Sequence, residues 1–388
     1  MFINELPDDC LLIIFSLIKE LDDLLNCYKV CNKWSHLIAE RTRKVKYLVD
    51  RRDWWDGVTS PSYSFDYAYY RPQEPIDATC LSALFPNSII TDLPYRTCIV
   101  GKNEVILTLF KRIISLYAKI HQNDRDESIF QYCDALEMLS TGHIDPVMKK
   151  IGGNIKQLHL WNYTLNRFKE DAHYFPNIER LSISNNEGSP DWLYDGPIFK
   201  RLKIVEMQLS SYDGTDTNYA FQFMDSCPNL QSAHIKLDSN HIHVDESLKH
   251  ESLQDLVLHF YSESVAWNEL KRLFIKYPNL KHLALRNHNS LVDGHVEHLV
   301  RILPNLVLFD IRGCPGVTQK SADYVEDYCK LYGRLIKFYF DKNRHELGLD
   351  WPQLSTKREK ISQGFDFMKH CFLKSYLELP TFLVSSED

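Results

Sequence analysis

Eight six-residue segments fit one template, apolar-x-x-apolar-x-apolar, and they constrain this chain more than any other feature. They occupy 155–160, 178–183, 202–207, 230–235, 253–258, 280–285, 306–311 and 335–340. Their last positions, Leu160 to Phe340, lie 180 residues apart in seven steps, a mean period of about 26. A unit of that length holds one short strand and a return segment, too little to bury its own leucines. Stacked units bury them together, which predicts an α/β solenoid with parallel strands on the inner face and helices outside, as in the helical pattern of 292–303. Strand side chains alternate, so the fourth and sixth positions face the core and the fifth faces the inner surface. Val257 and Ala284, both fifth positions, are thus expected to meet solvent or ligand and to tolerate serine. Pairs of proline and asparagine introduce several hexads, at Pro176-Asn177, Pro228-Asn229, Pro278-Asn279 and Pro304-Asn305. Proline there ends the preceding helix and starts the turn into the strand.

A period near 26 falls in the 20 to 29 range of leucine-rich repeats. The late units, such as 306–318 with Gly313-Cys314-Pro315, resemble the cysteine-containing form of those repeats. The resemblance implies a curved, right-handed horseshoe. It also places Asn or Cys three residues past each hexad, where this chain has Tyr163, Asn186, Ser210, Asp238, Tyr261, His288, Cys314 and Asn343. The array is therefore read as irregular in its turns.

Residues 6–38 carry a second signature: Leu6-Pro7-x-x-x-Leu11-x-x-Ile14-Phe15, then Asp23-Leu24-Leu25, then Val30-Cys31-x-x-Trp34 and Leu37. Pro7 suits a helix start, and Asp8 and Asp9 complement the positive end of the helix dipole. Cys10 to Phe15 are six consecutive apolar residues, with Leu17 and Ile18 beyond them, more apolar surface than a few short helices can cover. The order and spacing of these residues resemble an F-box. The resemblance implies a three-helix module docking on a Skp-family adaptor, which sits on a cullin scaffold with a RING subunit and a ubiquitin-conjugating enzyme. It offers Leu6, Pro7, Leu11, Ile14, Phe15, Leu24, Val30 and Trp34 as adaptor contacts. Sequence alone leaves open which of these are core and which are contact.

Domain limits follow as an F-box at 1–48, an irregular aromatic-rich joint at 49–76 and degenerate first repeats at 77–150. Leucine-rich repeats fill 151–345 and a C-terminal cap and tail 346–388. Phe85-Pro86-Asn87 resembles a repeat introduction, 105–117 and 129–139 have mixed apolar spacing, and 357–377 has helical spacing suited to covering a last core layer. The run Arg41 to Lys46 reads as a solvated face of the third helix. A formal charge of −7 argues against bulk attraction to nucleic acid or anionic membrane. The stretch from Cys10 to Ile18 is preceded by Glu5, Asp8 and Asp9 where a signal peptide would be basic, and no other segment could span a bilayer. Ten scattered cysteines read as reduced, mostly buried thiols of a cytoplasmic or nuclear protein. Cys27 and Cys31, one helical turn apart, read as core.

No phosphate loop, nucleophile elbow or paired Cys-x-x-Cys is present, so neither catalysis nor a cofactor is expected. His241-x-His243 and His295-x-x-His298 lack third and fourth metal ligands nearby. One residue past successive hexads stand Trp161, Ser184, Gln208, Lys236, His259, Arg286 and Arg312, with His234 and His282 beside them. The row reads either as a solvated face balanced by Asp255 and Asp310 or as a surface for an acidic or phosphorylated peptide. Trp161, His234, Lys236, His259, His282, Arg286 and Arg312 are the candidate target-binding residues. The F-box resemblance then implies a non-catalytic substrate receptor of a Skp–cullin–F-box ubiquitin ligase, acting by proximity and leading to proteasomal degradation. The alternative is a non-ligase scaffold or inhibitor using the same repeat surface.

Overall fold

The computed structural model describes residues 3–50, 67–70, 76–77, 84–88, 90–93, 99–100, 115–118, 135–185, 193–209, 217–261, 265–350, 353–359 and 366–383. The chain divides into two compact units, Met1–Ile155 and Lys156–Asp388.

The first unit opens with three helices, α1 (Asp8–Ser16), α2 (Leu21–Tyr28) and α3 (Asn32–Thr42). Pro7 stands at the N-cap of α1 in extended conformation, as its fixed φ favours. Leu11, Phe15, Leu21, Leu24, Leu37 and Ile38 form the buried core between the helices. Arg41 departs from the solvated reading of its run. It is buried, and its guanidinium donates to Phe15 O and Ile18 O, carbonyls at and just past the end of α1.

Strands β1 (Tyr47–Asp50), β2 (Tyr67–Tyr70), β3 (Ile76–Asp77), β4 (Ile90–Leu93), β5 (Ile99–Val100), β6 (Ser115–Ala118) and β7 (Met138–Thr141) follow. Five of them pair in parallel in the order β2-β1-β4-β6-β7. The joint is thus not wholly irregular, because Tyr67–Tyr70 hydrogen-bonds alongside Tyr47–Asp50. The other rings expected there, Trp54 to Phe65, and most of 105–117 and 129–139 lie outside the described residues. Helix α4 (Pro146–Ile151) is capped by Asp145, whose Oδ1 accepts from the Val147 and Met148 amides at 2.7 Å.

In the second unit the strands are β8 (Gln157–Trp161), β9 (Arg180–Asn185), β10 (Ile204–Leu209), β11 (Thr217–Asn218), β12 (Ser232–Leu237), β13 (His241–Ile242), β14 (Asp255–Phe260), β15 (His282–Arg286), β16 (Leu308–Asp310) and β17 (Lys337–Tyr339). Eight run parallel in the order β8-β9-β10-β12-β14-β15-β16-β17, each beginning two residues after the first apolar position of its hexad. The register is uniform: Leu256 lies opposite Ala233 and Leu283, and Leu258 opposite Ile235 and Leu285. First hexad positions are buried from Ile155 to Leu306, but Leu335 is 89% exposed, so the eighth hexad fits the template without filling its first core position.

Connecting helices are α5 (Leu165–Asp171), α6 (Ala220–Asp225), α7 (Trp267–Lys276), α8 (Asp293–Ile302), α9 (Gln319–Tyr332) and α10 (Glu346–Asp350). Not every unit returns by a helix: the described residues 193–203 and 243–252 are turns and extended chain. The asparagine of the Pro–Asn pairs has a role that sequence reading gave only to the proline. Asn229, Asn279 and Asn305 donate through Nδ2 to Lys200 O, Glu251 O and Pro278 O, carbonyls one repeat earlier. In the first unit Asn87 does the same to Arg43 O at 2.8 Å. Of the turn positions, Cys314 Sγ donates to Leu285 O and Asn343 Nδ2 to Phe338 O, while Asn186 and Ser210 lie outside the described residues.

Residues 366–383 differ most from expectation. They form one π-helical turn (Met368–Phe372) and one 3-10 turn (Tyr376–Glu378), not one long helix. They cross the inner strand face from β15 to β8 instead of closing the last layer. Asp366 tethers the segment, accepting from Ser355 Oγ at 2.7 Å and from the Thr356 amide.

Candidate functional site

Two surfaces carry the candidate residues. On the first, the helical segment separates them cleanly. Leu11, Phe15 and Leu24 are buried core, so as adaptor contacts they are corrected: a partner would have to unfold the module to reach them. Leu6 and Trp34 are half-buried, and Pro7, Ile14 and Val30 are exposed. Trp34 packs edge-on against Phe15 at 5.0 Å and donates Nε1–H to Asn4 Oδ1 at 2.7 Å, which fixes its ring. Exposed beside them are Ile13, at 65%, and Leu17, at 76%, which the motif pattern had not singled out. Their signal was the surplus of apolar residues around α1, which had to leave some of them uncovered. Cys10 is exposed, and Cys27 and Cys31 are half-buried rather than core.

The second surface is the inner strand face. The row past the hexads forms in register: Trp161 opposite Ser184, Ser184 opposite Gln208, Gln208 opposite Lys236, Lys236 opposite His259 and His259 opposite Arg286. Most of the face is nevertheless occupied by residues 366–383. Val257 and Ala284 are buried in one cluster with Ile204, Leu308, Tyr339, Phe367, Met368, Cys371, Phe372 and Leu383. The expectation that they meet solvent is overturned, although their side of the strand was read correctly.

Arg286 is buried, and its Nε donates to Asp310 Oδ2 at 2.9 Å while its other nitrogens donate to Lys374 O and Phe372 O. Arg312 grips the same carboxylate twice, at 2.8 Å through Nε and 2.8 Å through Nη2. Burial alone would raise the Asp310 carboxyl, but the two guanidiniums outweigh it and hold it below the usual range. A second clamp repeats the device: Arg180 pairs with buried Glu206 and donates to Pro380 O and Thr381 O at 2.6 and 2.9 Å. Gln157 closes the line, donating to Leu383 O and accepting from the Leu383 amide. As free target-binding cations, Arg286 and Arg312 are therefore corrected.

His282 Nδ1 sits 2.5 Å from Asp255, whose other oxygen accepts from Ser232. Its ring also meets Phe372 edge-on. His234 is buried against Tyr376, and burial holds it well below the usual histidine range. Neither histidine is open to a target. His259 is half-buried, with Nε2 against Asn287 and its pKa lowered to about 4 by burial and then by Arg286 and Lys236. Trp161 is half-buried with its Nε1 enclosed. Among the described residues no group of three potential metal ligands forms. His241 pairs with Glu269, and His295 and His298 pack on Trp267. No helix among the described residues is long and apolar enough to cross a membrane.

Comparison with known proteins follows this geometry. Residues 3–43 match the F-box-like family, and the chain carries an F-box-like domain there. The chain as a whole is an F-box-like domain followed by leucine-rich-type α/β repeats. It is similar to several solved structures at low identity. The TLR13–ssRNA13 complex matches with TM-score 0.40 and 15% identity over 71% of this chain and 41% of the matched one. The Rad7 and Elc1 complex of yeast gives 0.33 and 14% over 81% and 90%. An LRR protein of Leptospira interrogans gives 0.31 and 12% over 86% and 98%. This chain thus spans less than half the length of the first of the three. No curated protein matches it.

Proposed function

We propose that this chain is the substrate-recognition subunit of a Skp–cullin–F-box ubiquitin ligase, with the F-box-like domain held by a Skp-family adaptor and the repeat unit presenting the target. It is not itself catalytic; it raises the effective concentration of a target lysine near the ubiquitin-charged enzyme. We assign the adaptor contact to Leu6, Pro7, Ile13, Ile14, Leu17, Val30 and Trp34, within the proposed 1–48 module. A cytoplasmic or nuclear site of action belongs to the same reading.

The observation that carries it is the exposed apolar set on the F-box-like helices. A module that already has a complete core in Leu11, Phe15 and Leu24, and yet holds Ile13, Leu17 and Val30 in the open, supports a protein partner there. The experiment is co-expression of the full chain with a Skp-family adaptor, comparing wild type with Ile13→Asp/Leu17→Asp and with Leu6→Ala/Pro7→Ala. Both variants are expected to lose the adaptor while melting like wild type. Adaptor retained by a chain lacking 1–48 would sink the assignment. Adaptor binding with no target ubiquitinated in a reconstituted ligase would select the scaffold or inhibitor role.

A further inference from the structure

One cation of the inner row keeps no bonded anion. Arg286 and Arg312 converge on Asp310, Arg180 is matched by Glu206, and His259 is neutral at physiological pH. Lys236 differs. It is only 7% exposed, so its stem is buried, and its ammonium lies 4.5 Å from the centroid of the Tyr261 ring, which is itself 67% exposed. No ion pair or hydrogen bond engages that ammonium among the described residues. Asp238, two residues on along the same face, favours its charge through space without pairing with it.

A surface lysine normally loses entropy when it closes on a partner. Here packing has already fixed the stem, so an arriving oxyanion meets a pre-positioned donor. The exposed ring beside it offers a flat apolar face to the carbons that carry such an anion. A nucleic-acid backbone fits less well, because it needs a run of free cations and the neighbouring arginines already share Asp310.

We propose that Lys236 and Tyr261 form a docking point for one oxyanion, a carboxylate or a phosphoryl group, presented by a peptide segment of the target. This rests on the receptor reading above and narrows its ligand to a singly anchored acidic or phosphorylated peptide. Ammonium and oxyanion form a charge-assisted hydrogen bond, and the ring packs on the adjoining chain.

The test measures acylation of the full-length protein by an N-hydroxysuccinimide ester near neutral pH, read at Lys236 and, as an internal control, at exposed Lys342 by peptide mass spectrometry. Three synthetic peptides differ only at one central residue: glutamate, phosphoserine or glutamine. At about 1 mM, an affinity range a single anchored contact reaches, the glutamate or the phosphoserine peptide is expected to slow Lys236 about twofold against the glutamine peptide, with Lys342 unchanged. Which of the two does so identifies the source of the oxyanion. Lys236→Gln, checked for unchanged melting, is expected to abolish binding of the effective peptide in fluorescence anisotropy. Equal acylation rates with all three peptides would overturn the proposal, as would a Lys236 that does not acylate at all. Failure of the adaptor test with success here would remove the ligase reading and leave the docking point standing.

Discussion

At the scale of single residues, the strand register makes both faces of one strand intolerant, for different reasons. Leu256 is buried toward the helices, and its change to alanine is expected to cost about 2 to 5 kcal/mol in lost transfer energy and cavity. Val257 is buried toward residues 366–383, so Val257→Ser places a hydroxyl in an apolar cluster and is expected to cost about 1 to 3 kcal/mol. Denaturant midpoints of the two variants check both figures; a neutral Val257→Ser would mean the face is open in solution. His259 adds a pH dependence. Its folded pKa of about 4 lies below the unfolded value of about 6.5, so the unfolded chain binds its proton first as pH falls. Stability is expected to be full above about pH 6.5 and to decline toward pH 4, with His234 contributing in the same direction. His259→Gln should flatten part of that decline in urea titrations run at several pH values.

Among elements, the segment 366–383 has the largest effect on what the repeats can do. It supplies Phe367, Met368, Cys371 and Phe372 to the core, and the space they leave beside His234 and Glu206 admits no water. Its backbone carbonyls are the acceptors that Arg180 and Arg286 need. Phe372→Ala is therefore expected to cost about 3 to 5 kcal/mol, read as a lowered melting temperature, and to raise reactivity of Cys371 toward thiol reagents. A surface flap would show neither change. The segment was hard to read because Met368 and Phe372 continue a helical spacing in the sequence, while the inner face on which those two side chains pack belongs to strands of earlier repeats. By contrast, the hexads were legible: each repeats the same local pattern, and parallel neighbours impose the same register on all of them. Leu335 shows the limit, since a hexad at the end of the array can fit the template with no next layer to bury its first position.

For the whole molecule, the two candidate surfaces were legible in the sequence to different degrees. The F-box-like module was legible as a motif, but motif residues mix core with surface. Only burial separates Leu11, Phe15 and Leu24 from Ile13 and Leu17. The charged row was legible as a row, with Asp255 and Asp310 as its balancing carboxylates, but not that both arginines converge on Asp310 or that residues 366–383 lie over them. This changes the expected response to salt. With Lys236 the one cation of the row left for a target, and an exposed pair contributing about 0 to 1 kcal/mol, capture of the effective peptide is expected to fall less than about fivefold from low to moderate salt. A fall of about a hundredfold in anisotropy titrations would point to a broad charged contact instead. The crossing of residues 366–383 over the strands has a further consequence for biosynthesis. Those residues leave the ribosome after every strand they cover, so Glu206 and Asp310 wait with only their arginines until residues 366–383 arrive. A chain cut before residue 366 would hold a finished F-box-like module and an inner strand face still open.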